Sequence, residues 1–110
     1  MKLIAREVIL QAVAAIAPLL GRVKRCDRDL HEQLRRALSS AALNLDEGAG
    51  HTDGNRTARY ASAAGSAQEV RMALELAAAY GYVGRDEIAA PDALLDRFLA
   101  LVWRLRHPRR

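Results

Sequence analysis

The chain has 110 residues, one cysteine and a formal charge of +4, with 51% hydrophobic and only 5% aromatic residues. One domain covering residues 1–110 is the expectation, with enough chain to bury a modest core. The composition excludes a disordered chain, a disulfide scaffold and a cysteine-based zinc site, and it disfavours a β-sandwich, which needs β-branched and aromatic residues.

The first predicted helix runs from about Leu3 to Leu20 and ends at Gly21. Its polar positions, Glu7, Gln11, Pro18 and Arg22, lie close to one narrow stripe. The apolar arc is therefore wider than a surface helix needs. A lysine followed by apolar residues faintly suggests a signal peptide, but Arg6, Glu7 and Gln11 interrupt it, and no apolar run reaches the roughly 20 residues of a membrane span. The expectation is a buried helix of a soluble protein, with no membrane partner. A single cysteine fits a reducing compartment, most simply the cytoplasm.

The stretch "GRVKRCDRD" reads as a charged loop. Helix 2 then starts near Asp27 or Asp29, either of which could cap it, and runs to about Glu47. Leu30, Leu34, Leu38, Ala41 and Leu45 give its apolar stripe. "GAGHTDGN" reads as a flexible loop because glycines break the pattern.

Helix 3 spans roughly Asn55–Tyr80, and Gly81 stops it. At 100° per residue, Ala63, Ala67, Val70, Leu74 and Ala77 fill one apolar sector, and Ala61, Gly65, Met72 and Leu76 fill another. Two apolar faces imply two sets of neighbours. A mid-helix glycine costs about 1 kcal/mol against alanine. Gly65 is therefore expected at a close helix crossing, where lack of bulk offsets that cost. Glu69 and Ser66 would lie beside it. Glu69 either joins a buried network with Asn44, the arginines of helix 2 or Tyr82, or faces outward between subunits.

Helix 4 is expected over Asp92–Arg106, after a single turn and a break or kink at Pro91. Leu94, Leu95, Phe98, Leu99, Leu101, Val102 and Leu105 form its core face. Trp103 aligns instead with Asp96, Ala100 and His107, so it should point away from the core and anchor an oligomer interface. Four amphipathic helices joined by loops of about 5–10 residues predict an all-α, antiparallel up-and-down four-helix bundle.

Catalytic chemistry is not evident. His31, His51 and His107 show no metal-ligand spacing, "EGAGHTDGN" lacks the lysine and hydroxyl residue of a phosphate-cradling loop, and the carboxylate pairs at 46–47 and 86–87 sit at helix ends. Cys26 lies beside Arg25 and Arg28 without a placed histidine partner. The expectation is no enzyme, no cofactor and no metal. Basic residues cluster in the first loop (Arg22, Lys24, Arg25, Arg28) and in the tail (Arg104, Arg106, Arg109, Arg110), with Arg35 and Arg36 on the polar side of helix 2. Contact with RNA or DNA is expected through Arg22, Lys24, Arg25, Arg28, Arg35 and Arg36; the alternative is a protein-interaction scaffold with no nucleic-acid role.

Three segments carry a resemblance. They are "QLRRALSSAALNLDEGAG" (Gln33, Leu34, Arg35, Arg36, Ala37, then Asn44, Glu47, Gly48), "AAGSAQE" (Ala63, Gly65, Ser66, Glu69) and the closing Gly81-Tyr82 of "AAAYGYV". Together they resemble the small four helix bundle protein family found in intervening sequences of large-subunit ribosomal RNA genes. That family includes the accessory variability determinant of diversity-generating retroelements. The chain departs from it at the start of helix 3, which keeps Arg56, Arg59 and Tyr60 but is otherwise small, and within helix 2, where "AAL" replaces an isoleucine-proline. The resemblance implies a four-helix fold, a homopentameric ring for some members, and nucleic-acid or reverse-transcriptase binding in retroelement members. It implies no catalytic activity.

Overall fold

The computed structural model describes residues 1–50 and 54–108. Four α-helices follow one another: α1 (Lys2–Cys26), α2 (Arg28–Ala49), α3 (Gly54–Ala79) and α4 (Arg85–Arg106). Among the described residues there is no strand. Each helix packs against two neighbours, α1 on α2 and α4, α3 on α2 and α4, and the diagonal pairs barely touch. This is the expected antiparallel four-helix bundle, elongated to 46 Å by 23 Å by 18 Å.

The core is built from the apolar stripes. Ile9, Ile16, Leu34, Leu45, Leu74, Leu95 and Phe98 are fully enclosed, among many alanines. The most extensive helix–helix contact is that of α2 with α3. Its buried side chains include Ala37, Ala41, Ala63 and Ala67, whose small size lets the two backbones approach.

Three local expectations are corrected. Helix 1 does not stop at Gly21 but continues to Cys26, and Asp27 alone separates it from α2. A glycine ends a helix where the chain turns left-handed, and among the described residues only Gly81 has positive φ, at 82°. Gly21 has none, and buried Val23 two residues on keeps the last turn on the core. Asp27, of the two caps considered, is the one used: its Oδ1 accepts the Leu30 N–H at 3.0 Å.

Helix 4 begins at Arg85 and runs through Pro91 without a break. Proline there removes one bond to the Glu87 carbonyl, but Ile88 and Leu95 on either side are both buried, as is Pro91 itself. Core packing thus holds the helix across the missing bond.

Gly65 is not at a helix crossing within the chain. It is exposed, and a Cβ added to it would meet nothing within 4 Å among the described residues. The close approach is at Gly48, which belongs to α2 and is buried. A Cβ there would lie 2.6 Å from Tyr60 Cε1 and 2.7 Å from Cδ1. The expected loop "GAGHTDGN" therefore begins later, with Gly48 and Ala49 still helical. His51, Thr52 and Asp53 lie outside the described residues, as do Arg109 and Arg110.

α1 is long and apolar enough to cross a membrane by length and composition alone, with a mean hydropathy of 1.8 over its most apolar window. In this fold one side of it, Ala5 to Val23, is core.

Candidate functional site

Most of the family-motif residues converge on the seam between α2 and α3. Ser40 and Ser66 meet hydroxyl to hydroxyl at 2.8 Å across it. Asn44, one turn after Ser40, donates its amide to the Ser40 carbonyl and hydroxyl, both at 3.0 Å. Arg59 of α3 donates to Asn44 Oδ1 at 3.3 Å and pairs with Glu47 at 3.1 Å. Gly48, next along α2, receives the ring of Tyr60, which is 1% exposed. Asn44, Glu47, Gly48 and Ser66 thus form one contiguous polar ladder ending in an aromatic lock. Ser40, absent from the sequence candidates, links the two helices. Its spacing of four from Asn44 was the available signal.

Beside this ladder lies a shallow groove of about 430 Å³ lined by Arg35, Arg36, Ser39, Leu43 and Arg59, with Glu32 and Glu47 on its walls. Two of its guanidiniums are engaged, Arg36 by Glu32 at 3.1 Å and Arg59 by Glu47. Leu43 is 63% exposed. Farther along the same seam, Glu69 is exposed at the rim of a small apolar groove with Leu30, Gln33, Met72 and Leu76. The buried network considered for Glu69 does not form.

Gly81 and Tyr82 sit at the opposite end of the seam. The left-handed Gly81 closes α3: its N–H reaches the Ala78 carbonyl at 3.0 Å, and the Tyr82 N–H reaches Ala77 at 2.8 Å. Tyr82 stacks on Tyr80 with ring centroids 5.3 Å apart and donates its hydroxyl to Asp27 Oδ2 at 3.1 Å. Desolvation of the ring, and then the Asp27 carboxylate, raise the Tyr82 pKa. One carboxylate therefore caps α2 and anchors the α3–α4 turn.

The predicted basic loop is helical, and its members differ. Arg22 makes two 2.7 Å hydrogen bonds to Glu87 of α4. Glu87 is held at a pKa of about 2, first by the Arg22 hydrogen bond and then by the Gly84 N–H it accepts. Lys24, Arg25, Arg28 and Arg35 are exposed. Arg71 joins α3 to Asp92 of α4 at 2.8 Å and 3.1 Å.

Charge is distributed unevenly along the bundle. When each helix is divided at its middle, the half carrying the α1–α2 and α3–α4 connections has eight Lys/Arg and eight Asp/Glu among the described residues. The other half has seven Lys/Arg (Lys2, Arg6, Arg56, Arg59, Arg97, Arg104, Arg106) against four carboxylates (Glu7, Asp46, Glu47, Asp96). The surplus lies at the end where α1 begins and α4 ends. Arg22, Lys24, Arg25, Arg28, Arg35 and Arg36 all belong to the balanced half. Arg106 is half-buried there, and its Nε has no acceptor among the described residues.

Trp103 points outward, as its helical position predicts, and is 59% exposed. Its ring lies 4.4 Å from that of His107. Among the described residues no three His, Cys, Asp or Glu side chains gather into a metal-binding group.

A family model described as 23S rRNA-intervening sequence protein matches residues 3–103. The match spans all but the start of α1 and the end of α4. No curated protein and no solved structure matches the chain.

Proposed function

This chain belongs to the 23S rRNA-intervening sequence protein family, and we propose that it is a non-enzymatic, self-associating binding module of the cytoplasm that contacts RNA or DNA through arginines. The observation that carries self-association is the outward face of α3. Ala58, Gly65, Met72 and Ala79 recur there every seven residues, and all are exposed. Such spacing keeps one seam facing a partner helix. Open space at Gly65 leaves room for a second backbone. Met72 is 61% exposed on that stripe.

α1 offers a second such face. Leu3, Leu10 and Ala17, interleaved with Glu7, Ala14 and Gly21, follow the same spacing and are exposed. Leu3 is 79% exposed, an apolar side chain that a monomer leaves in water. Two different faces per subunit support head-to-tail contacts that close into a ring. The number five rests on the likeness to the accessory variability determinant.

Light scattering tests this reading. The expected mass is five times the 12.1 kDa of the chain. Gly65→Leu should break the assembly into monomers while leaving the helical fold intact, since a Cβ at this exposed position lies more than 4 Å from the other elements among the described residues. A mass of one chain for the unaltered protein overturns self-association. Nucleic-acid contact is tested separately by anisotropy with labelled oligonucleotides across a salt series. Absence of binding at low salt would leave the protein-scaffold alternative.

A further inference from the structure

The last three turns of α4 present Arg97, Ala100, Trp103, Arg104 and His107 as one outward ridge, all of them exposed. The spacings of three, four and seven put these side chains on one face. Asp96 lies on the Trp103 line of this same face, and its carboxylate is engaged by Arg71 at 3.4 Å. The ridge belongs to the half of the bundle that carries the whole described charge surplus, and Arg109 and Arg110 follow it in sequence. Trp103 is the chain's only tryptophan.

We propose that this ridge is a single-stranded nucleic-acid site in which Trp103, backed by His107, is a platform for an unpaired base and Arg97 and Arg104 hold the flanking phosphates. The proposal rests on the nucleic-acid reading above and relocates it from the α1–α2 corner to the free end of α4. Stacking on an aromatic face needs an exposed ring supported from behind, and the Trp103–His107 pair supplies one. The guanidiniums of Arg97 and Arg104, seven residues apart on one line beside the Trp103 line, suit phosphates, because the polyanion brings the neutralising charge with it. A second copy of the chain is the weaker occupant. Contact of one ridge with another would press arginines together, and the opposite half of the bundle offers no net negative charge to receive them.

The experiment uses the full chain with ten-nucleotide oligo(U), oligo(dT), an abasic oligomer of equal length and a blunt duplex. Anisotropy reports binding, and Trp103 emission reports stacking. Oligo(U) and oligo(dT) should quench the emission in a saturable way, whereas the abasic oligomer and the duplex should bind without quenching. A stronger response to either oligomer assigns RNA or DNA. Trp103→Ala should weaken single-strand binding about tenfold or more and leave duplex binding unchanged, with Trp103→Phe retaining most of it. Arg97→Glu with Arg104→Glu should weaken every ligand and flatten the salt dependence. Binding without quenching, or binding unaffected by Trp103→Ala, overturns the platform while leaving the nucleic-acid reading intact. Loss of oligomer mass in Trp103→Ala overturns it in favour of an interface. No anisotropy change with any oligomer overturns both.

Discussion

Arg22 and Glu87, 65 residues apart in sequence, meet through two parallel 2.7 Å hydrogen bonds that tie the end of α1 to the first turn of α4. The pair fixes the relative register of these two helices. Glu87 also accepts the Gly84 N–H at 2.8 Å, so one carboxylate closes the helix start and the seam together.

Acid stability should report this pair. The folded-state pKa of Glu87 is about 2, below its usual 4.5. A depressed carboxylate stabilises the fold fully above the unfolded value and loses that contribution as pH falls through the folded one. Glu87→Gln should therefore lower Tm at neutral pH and shrink the loss of Tm between about pH 4.5 and about 2. An acid limb identical to that of the unaltered protein would show that Glu87 titrates normally.

Gly48→Ala should destabilise the chain by about 1–3 kcal/mol, because the new methyl overlaps the enclosed Tyr60 ring. Gly50→Ala is the control. Gly50 lies at φ −86°, and among the described residues its Cβ would meet only the Glu47 carbonyl at an ordinary 3.5 Å. Urea unfolding of both variants checks the difference, and equal midpoints would mean that Tyr60 moves aside without cost.

Asp27→Ala removes the α2 cap, a loss of about 1 kcal/mol. It also frees the Tyr82 hydroxyl. In a double-mutant cycle with Tyr82→Phe, the two changes should be non-additive, since both break the same 3.1 Å contact. Ultraviolet titration gives a second readout. One tyrosine should titrate above 10.0 in the unaltered protein and move part of the way back in Asp27→Ala, because desolvation of the ring is retained. Additive losses with an unmoved titration would remove the bond from the account.

Ser66→Val should be mildly destabilising, by about 1 kcal/mol, because it leaves a Ser40 hydroxyl facing a branched apolar group in a tightly packed seam. Asn44 still reaches Ser40, so the loss should not grow to the level of an orphaned buried donor. A drop well above 2 kcal/mol would point to overpacking of the α2–α3 contact.

Helix count, order and core were legible in the chain because apolar spacing is a local property. Leu30, Leu34, Leu38, Ala41 and Leu45 repeat at the period of the helix, and all five are buried. The outward direction of Trp103 and the Gly81 stop followed from the same geometry. Where a residue's meaning depended on a distant neighbour, tertiary structure decided it. A glycine's role depends on what faces it: Gly48 meets a ring twelve residues away, and Gly65, in the more suggestive motif, faces open space among the described residues. Gly21 and Pro91 look like helix ends, yet buried neighbours carry both helices past them. An arginine's charge depends equally on its partner. Arg22 belongs to one of the two basic clusters in the sequence, but folding brings Glu87 to it, in a half of the bundle where charges balance. The surplus is left at the other end, because only the antiparallel order of the helices sets which distant charges share an end.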